Sequence, residues 1–383
     1  MNGTGYDPAF YSLRLDITPA TVGRASLFHG EPGLRCTEAL IAAARDDRGE
    51  ARRAADAFVA AASQPCPNPD LTLGRSGLLL GAALLHDALA ALGDVDSPAA
   101  SSERATEWRL LALGDDLLAG LWSEIGEQPP LGATEEDGEA GRGGGDDENA
   151  GPGRWLNLGI AHGWAGYLYA TLRWCQASGR PLPAGVTSRL DELGDAAESW
   201  GRGARWRWHG RDTGGEHRRP SRGAASAMAG WCNGSAGMVH LWTLAHRQLG
   251  DPRYGHLARA AAWHAWEADD RGENLCCGLA GRAYALLNLY RHGGDAEWLE
   301  RARRLAGHAA ADSLAARGAD LARGADIPHA AARLIPDAAA RPIPAEVYSL
   351  YRGALGVGLL AVDLEVTEGA AMPLFGDEGW VSR

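Results

Sequence analysis

The sequence predicts an all-α fold, an α/α toroid of six to seven helix pairs with an inner and an outer ring. Three observations carry this expectation. A G-x-x-G motif recurs six times, each copy opens an apolar segment, and the stretches between copies are rich in Ala, Leu, Arg and Glu, which favour helix. A repeat of this kind signals stacked supersecondary units, none of which buries its apolar face alone.

The copies are FHGEPGLRCTEAL (28–40), TLGRSGLLLGAAL (72–84), AHGWAGYLYATL (161–172), WCNGSAGMVHLW (231–242), CCGLAGRAYALL (276–287) and YRGALGVGLLAV (351–362). Glycines 30 and 74 are 44 residues apart, as are 234 and 278, whereas 74 and 163 are 89 apart. Forty-odd residues hold two helices and their turns. The long gap leaves room for a degenerate seventh copy, with 103–126 as the candidate because its apolar residues recur at helical spacing. The segments after each second glycine are the more apolar and are expected to be inner helices. The glycines are expected where six or seven chain segments crowd at the ring centre and a Cβ would clash.

A closed ring absorbs the whole chain, so residues 1–383 read as one domain. Two stretches fall outside the repeat. Residues 134–153 are acidic and glycine-rich and read as a flexible surface loop. Residues 201–222 hold seven arginines and two tryptophans. They read either as a contact for an acidic peptide or as an irregular connection that packs through those side chains.

Composition narrows the function. The net charge of −12 argues against nucleic acid as a partner. No apolar run approaches the roughly 20 residues of a membrane span. The first residues lack the basic and apolar regions of a signal peptide, so a cytoplasmic protein is expected. Six cysteines in 383 residues are too sparse for a disulfide framework and point instead to metal or catalysis.

Cys232, Cys276 and Cys277 lie within the motifs of neighbouring copies. Repeats place equivalent positions around one ring, so the three sulfurs are expected to converge. Three thiolates suit a soft or borderline cation, zinc being the common choice, and three protein ligands leave the fourth position open as catalytic sites do. Zinc held by three thiolates is a weak Lewis acid suited to activating a bound thiol, which points to thiol transfer or addition. His162, in GIAHGWAG, is expected to face the same cavity and to handle a proton; the alternative is a histidine that packs at a helix start. His29, in LFHGEPG, occupies the same local setting with less support. Asp70 either orients a histidine or caps the turn at 70–73.

GIAHGWAG, GWCNGSAG and LCCGLAG resemble, in order, the signature motifs of lanthionine synthetase C-like cyclases. FHGEPG and SLYRGALGVGLL resemble that family's first and last repeats. The resemblance implies an α/α toroid with zinc at one end of its cavity. It also implies lanthipeptide (antibiotic) biosynthesis, in which a peptide cysteine adds to dehydroalanine or dehydrobutyrine to give a thioether. It places Cys232 and Cys276 as ligands, His162 as a proton donor or acceptor and Asp70 as an acidic residue tied to activity. Cys277 stands where most members have histidine and is similar to a minority branch with three cysteine ligands. Met228 stands where members commonly have arginine and cannot polarise a carbonyl; Arg222 is the candidate to replace it. The chain has no room for a dehydratase or kinase–lyase domain, so separate enzymes are expected to supply the dehydrated precursor peptide. Two alternatives remain at this point: glutathione addition to dehydroamino acids, and a non-catalytic toroid with structural zinc.

Overall fold

In the computed structural model, the residues described are 25–93, 100–131, 155, 157–207, 227–269, 272–322, 349–366 and 370–375. They form α1 (Glu31–Ala44), α2 (Arg48–Ala62), α3 (Arg75–Ala91), α4 (Ala100–Gly126), α5 (Trp164–Ser178) and α6 (Val186–Asp195). A two-stranded antiparallel ribbon follows, β1 (Glu198–Trp200) and β2 (Gly203–Arg205). The chain continues through α7 (Ser235–Leu249), α8 (Pro252–Glu267), α9 (Leu279–Gly293), α10 (Ala296–Ala322) and α11 (Ala354–Val366). The fold is all-α, as the sequence predicts. The acidic segment 134–153 lies outside the described residues.

Each motif turn opens a helix. Gly30, Gly74, Gly163, Gly234 and Gly278 are the N-caps of α1, α3, α5, α7 and α9. From Arg75 to Leu85, α3 is buried on nearly every side, and α5 is buried without interruption from Trp164 to Cys175. A helix apolar all round belongs inside. The outer α2 and α8 bury one stripe only, through Ala51, Ala55 and Phe58 and through Ala258, Ala261 and Ala265. Their sequences start with Asp47 and Asp251, whose carboxylates accept from Glu50 N–H and Arg253 N–H, the expected N-cap bond.

The turns pair with one another through backbone hydrogen bonds. Ala161 O accepts from Leu71 and Thr72 N–H, Cys232 O from Ala161 N–H, Cys276 O from Cys232 N–H, and Tyr351 O from Cys276 N–H. Ser26 Oγ donates to Thr72 O at 2.7 Å. The Phe28 ring meets Tyr351 edge-on at 5.5 Å, bringing the first turn to the last. Six turns thus follow one another around a circle among the described residues. No seventh intervenes between the second and third copies, because those two bond directly. Residues 103–126, the candidate for that copy, belong to the single long outer helix α4.

The glycines are needed for space. The N-cap glycines have extended backbones, φ −146° at Gly74 and −151° at Gly163, which any residue adopts. A Cβ on Gly77 would lie 2.1 Å from Leu71 O, one on Gly166 2.1 Å from Ile160 O, and one on Gly281 2.0 Å from Leu275 O. In each case the obstacle is the carbonyl six residues earlier. The expected crowding by neighbouring segments comes second, as at Gly237, where a Cβ would meet Ile160 Cγ2 at 2.6 Å.

Within the arginine-rich stretch, residues 201–207 pack as a connection. The Trp206 indole is buried and donates to Leu193 O at 2.8 Å. Arg205 and Arg207 both bond Glu198, and the Arg202 guanidinium lies 3.7 Å from the centre of the Trp263 ring. The remainder of that stretch, with Arg222, lies outside the described residues.

One core residue makes stability depend on pH. His240 of α7 is 2% exposed, packs against Phe375, and burial pushes its pKa down to about 3. The folded chain keeps this imidazole neutral, while an unfolded histidine titrates near 6.5. Below that value the unfolded state takes up the proton, so stability falls as pH drops from about 6.5 to about 3, by up to about 1.4 kcal/mol per unit. Urea unfolding of His240→Leu and the parent at pH 7 and pH 5 should therefore differ in pH dependence by about 2 kcal/mol. Identical dependence in the two proteins would refute this role for His240.

Candidate functional site

The ring of turns brings together residues distant in sequence. Cys232 Sγ lies 3.2 Å from Cys277 Sγ, Cys277 Sγ lies 3.5 Å from Cys276 Sγ, and all three sulfurs fall within 4.8 Å of one another. The convergence follows from the backbone. Cys232 N–H donates to Cys276 O at 3.0 Å, fixing the fourth turn against the fifth. Asn274 Oδ1 accepts from Cys277 N–H at 3.0 Å and shapes the turn that carries two adjacent cysteines. Cys232 is buried, and Cys276 and Cys277 are partly exposed.

The donor set fits a zinc ion. Four sulfurs about 2.3 Å from tetrahedral zinc stand roughly 3.8 Å apart, slightly wider than the two distances that Cys277 Sγ makes here. Uncharged, the three thiols are a poor arrangement. Hydrogen bonds with Cys276 and Cys277 raise the proton affinity of Cys232, and burial adds to them. At Cys276 the largest single influence, the bond with Cys232, lowers proton affinity, but the bond with Cys277 and burial outweigh it and the net direction is up. Sulfurs this close ionise together only against a cation. Among the described residues this is the one cluster of three or more Cys, His, Asp or Glu groups able to hold a metal. The other three cysteines lie elsewhere; burial lifts the thiols of Cys36 to about 12 and Cys175 to about 11.

On the third turn, His162 Nδ1 lies 3.0 Å from Asp70 Oδ2 and 3.0 Å from Thr72 Oγ1. A carboxylate only accepts, so Nδ1 carries the proton and Nε2 is the nitrogen left for other chemistry. Asp70 is 3% exposed and His162 22%. The other Asp70 oxygen accepts from Leu73 N–H. Both sequence readings of Asp70 are therefore met at once: one oxygen holds the turn at 70–73 and the other orients a histidine. Thr72 as a neighbour of His162 was not foreseen, although it stands in the motif one turn away.

His29 is accessible to solvent yet hemmed in by the surrounding turns. Burial lowers its proton affinity, the nearby His162 lowers it further, Asp70 opposes, and Arg352 adds a smaller lowering. His29, His162 and Asp70 therefore share one electrostatic neighbourhood. Met228 is partly buried against the core and adds no charge. Arg352 also lowers the proton affinity of Cys276. It was missed in the sequence, where it stands in the same motif position as His29, His162 and Cys277.

Residues 16–318 match the family described as "Lanthionine synthetase C-like protein". The chain belongs to that family. Among solved structures, nisin cyclase is similar to this lanthionine synthetase C-like protein, with a TM-score of 0.47, 13% sequence identity and 93% of each chain covered. No curated protein matches the chain. Among the described residues, no helix is long and apolar enough to cross a membrane.

Proposed function

We propose that the chain is a zinc-dependent lanthionine cyclase. It adds a cysteine thiol of a ribosomally made peptide to a dehydroalanine or dehydrobutyrine of the same peptide and so closes a thioether ring. The observation that carries this reading is the convergence of three cysteine sulfurs on the ring of turns that also holds a carboxylate-oriented histidine.

Cys232, Cys276 and Cys277 would hold the metal, which when bound supplies the charge that keeps a substrate thiol ionised near neutral pH. The chain's own residues then serve the addition. The substrate sulfur forms a bond to Cβ, the C=C electron pair moves onto the adjacent carbonyl oxygen, and a proton must reach Cα. His162, through Nε2, delivers that proton; the one lost from the thiol balances it. Asp70 fixes the imidazole tautomer, and Thr72 limits its rotation.

Residues 1–383 are taken as a single domain, a reading supported by the contact between the first and last turns. Separate dehydrating enzymes, a dehydratase or a kinase and lyase, would supply the substrate, and the cytoplasm is the compartment where both would meet it.

The test is a peptide with one dehydroalanine and one free cysteine, incubated with the protein and then alkylated and weighed. Cyclisation changes no mass but removes the alkylatable thiol, and that loss is the expected result. A thiol left intact sinks the cyclase reading. If glutathione in the same mixture adds to the dehydroalanine instead, the protein is a glutathione transferase of dehydroamino acids. If the peptide is bound and unchanged, it is a scaffold.

A further inference from the structure

The six turns are equivalent, and so are the residues just before their first glycines. In ring order these are His29, Leu73, His162, Asn233, Cys277 and Arg352. Cys277 joins the sulfur cluster and His162 meets Asp70, so this position faces the chemistry on at least two turns. Arg352 is the one member with a fixed positive charge. Ring order places it between Cys277 and His29: Tyr351 O accepts from Cys276 N–H at 2.9 Å, and the Tyr351 ring packs on Phe28. Ser349 Oγ accepts from Arg352 N–H at 3.1 Å and holds the turn. Arg352 is exposed, and no carboxylate pairs with it among the described residues, in a chain where many arginines are paired with Asp or Glu.

We propose that Arg352 is the cation that receives the carbonyl oxygen of the dehydro residue as negative charge develops on it. This rests on the cyclase reading. Thiol addition drives the C=C electron pair onto that oxygen before the proton reaches Cα. An enolate oxygen without a charged or hydrogen-bonding partner is costly away from bulk water. Met228 offers neither charge nor donor. Arg352 offers both, and its charge already acts on the two sides of the site, on Cys276 and on His29. A guanidinium presents several N–H donors in a fixed fork, so it can bond the oxygen while its charge opposes the single net negative charge that three thiolates and a bound Zn²⁺ would leave.

Removing a preorganised oxyanion donor typically costs roughly 10²–10³ in kcat. Arg352 is exposed before substrate binds, so the expected loss is smaller, about 10–100-fold. Arg352→Met and Arg352→Lys, with zinc content and circular dichroism confirmed, are to be compared with the parent on the dehydroalanine–cysteine peptide. A group acting on the transition state lowers kcat and kcat/KM together, whereas one that only anchors the peptide raises KM. The expected result is a fall in kcat for Arg352→Met and partial recovery for Arg352→Lys. A readout apart from turnover is the titration of His29 followed by NMR, whose midpoint should rise in Arg352→Met as a nearby positive charge is removed. An active parent with unchanged kcat in Arg352→Met, or a change in KM alone, overturns the proposal and leaves the cyclase reading standing. So does an unmoved His29 midpoint. An inactive parent overturns both.

Discussion

Cys232→Ala will lose its zinc and, with it, ring closure. Protein purified without added metal should carry about one zinc per chain, read by elemental analysis, and the variant far less. Cys232 is the buried member of the cluster, 4% exposed, and lies 3.2 Å from Cys277 Sγ, so its removal takes away the least solvent-accessible of the three ligands. Loss of an outer-shell partner costs about 10–100-fold in metal affinity; loss of one of three ligands should exceed that. A metal contributes several kcal/mol of charge stabilisation, and each ~1.4 kcal/mol is tenfold. The rate of cyclisation should therefore fall roughly a thousandfold. Cys276→Ala and Cys277→Ala should follow the same pattern with smaller metal loss, because both are partly exposed. The helices should persist, since the three cysteines lie in the turns that precede α7 and α9 and not within the helices themselves. A parent that is folded, active and free of zinc would falsify the metal assignment.

His162→Asn should keep both zinc and fold but slow cyclisation by roughly 10²–10⁴, the range for a general acid or base. Asparagine retains a polar group near Asp70 while removing the second ring nitrogen. Asp70→Asn makes the complementary case. Its two oxygens serve His162 and the Leu73 N–H separately. It should lose activity through the imidazole and also about 1–3 kcal/mol of stability through the turn. His162→Asn should leave stability nearly unchanged. Rates measured by thiol alkylation, beside urea unfolding of the same samples, separate the two effects. If His162→Asn cyclises as fast as the parent, His162 is a packing residue, and His29, which shares its electrostatic neighbourhood, becomes the candidate proton donor.

Much of this was legible in the chain. Helical spacing and composition announced the helices. The six G-x-x-G copies announced the inner starts, and the motif positions of Cys232, Cys276 and Cys277 announced a common site. These are local properties. Apolar periodicity is written over three or four residues, and the tight turn over six, where the carbonyl of Leu71 excludes a Cβ on Gly77. A reader of the sequence can see both without knowing what the turn packs against.

What the sequence did not decide is which turn neighbours which. The 89-residue gap suggested a hidden seventh copy, yet the second and third turns bond directly and the intervening residues 103–126 run along the outside. Asp70 had two readings because its partners lie 3 and 92 residues away, and only the second depends on ring order. Arg352 looked like one arginine among many until closure of the ring set it between the sulfurs and His29. Local sterics and helix patterning are encoded at short spacing and survive in any context. Adjacency around a closed ring is set by how all the helix pairs pack together, and only the tertiary structure fixes that.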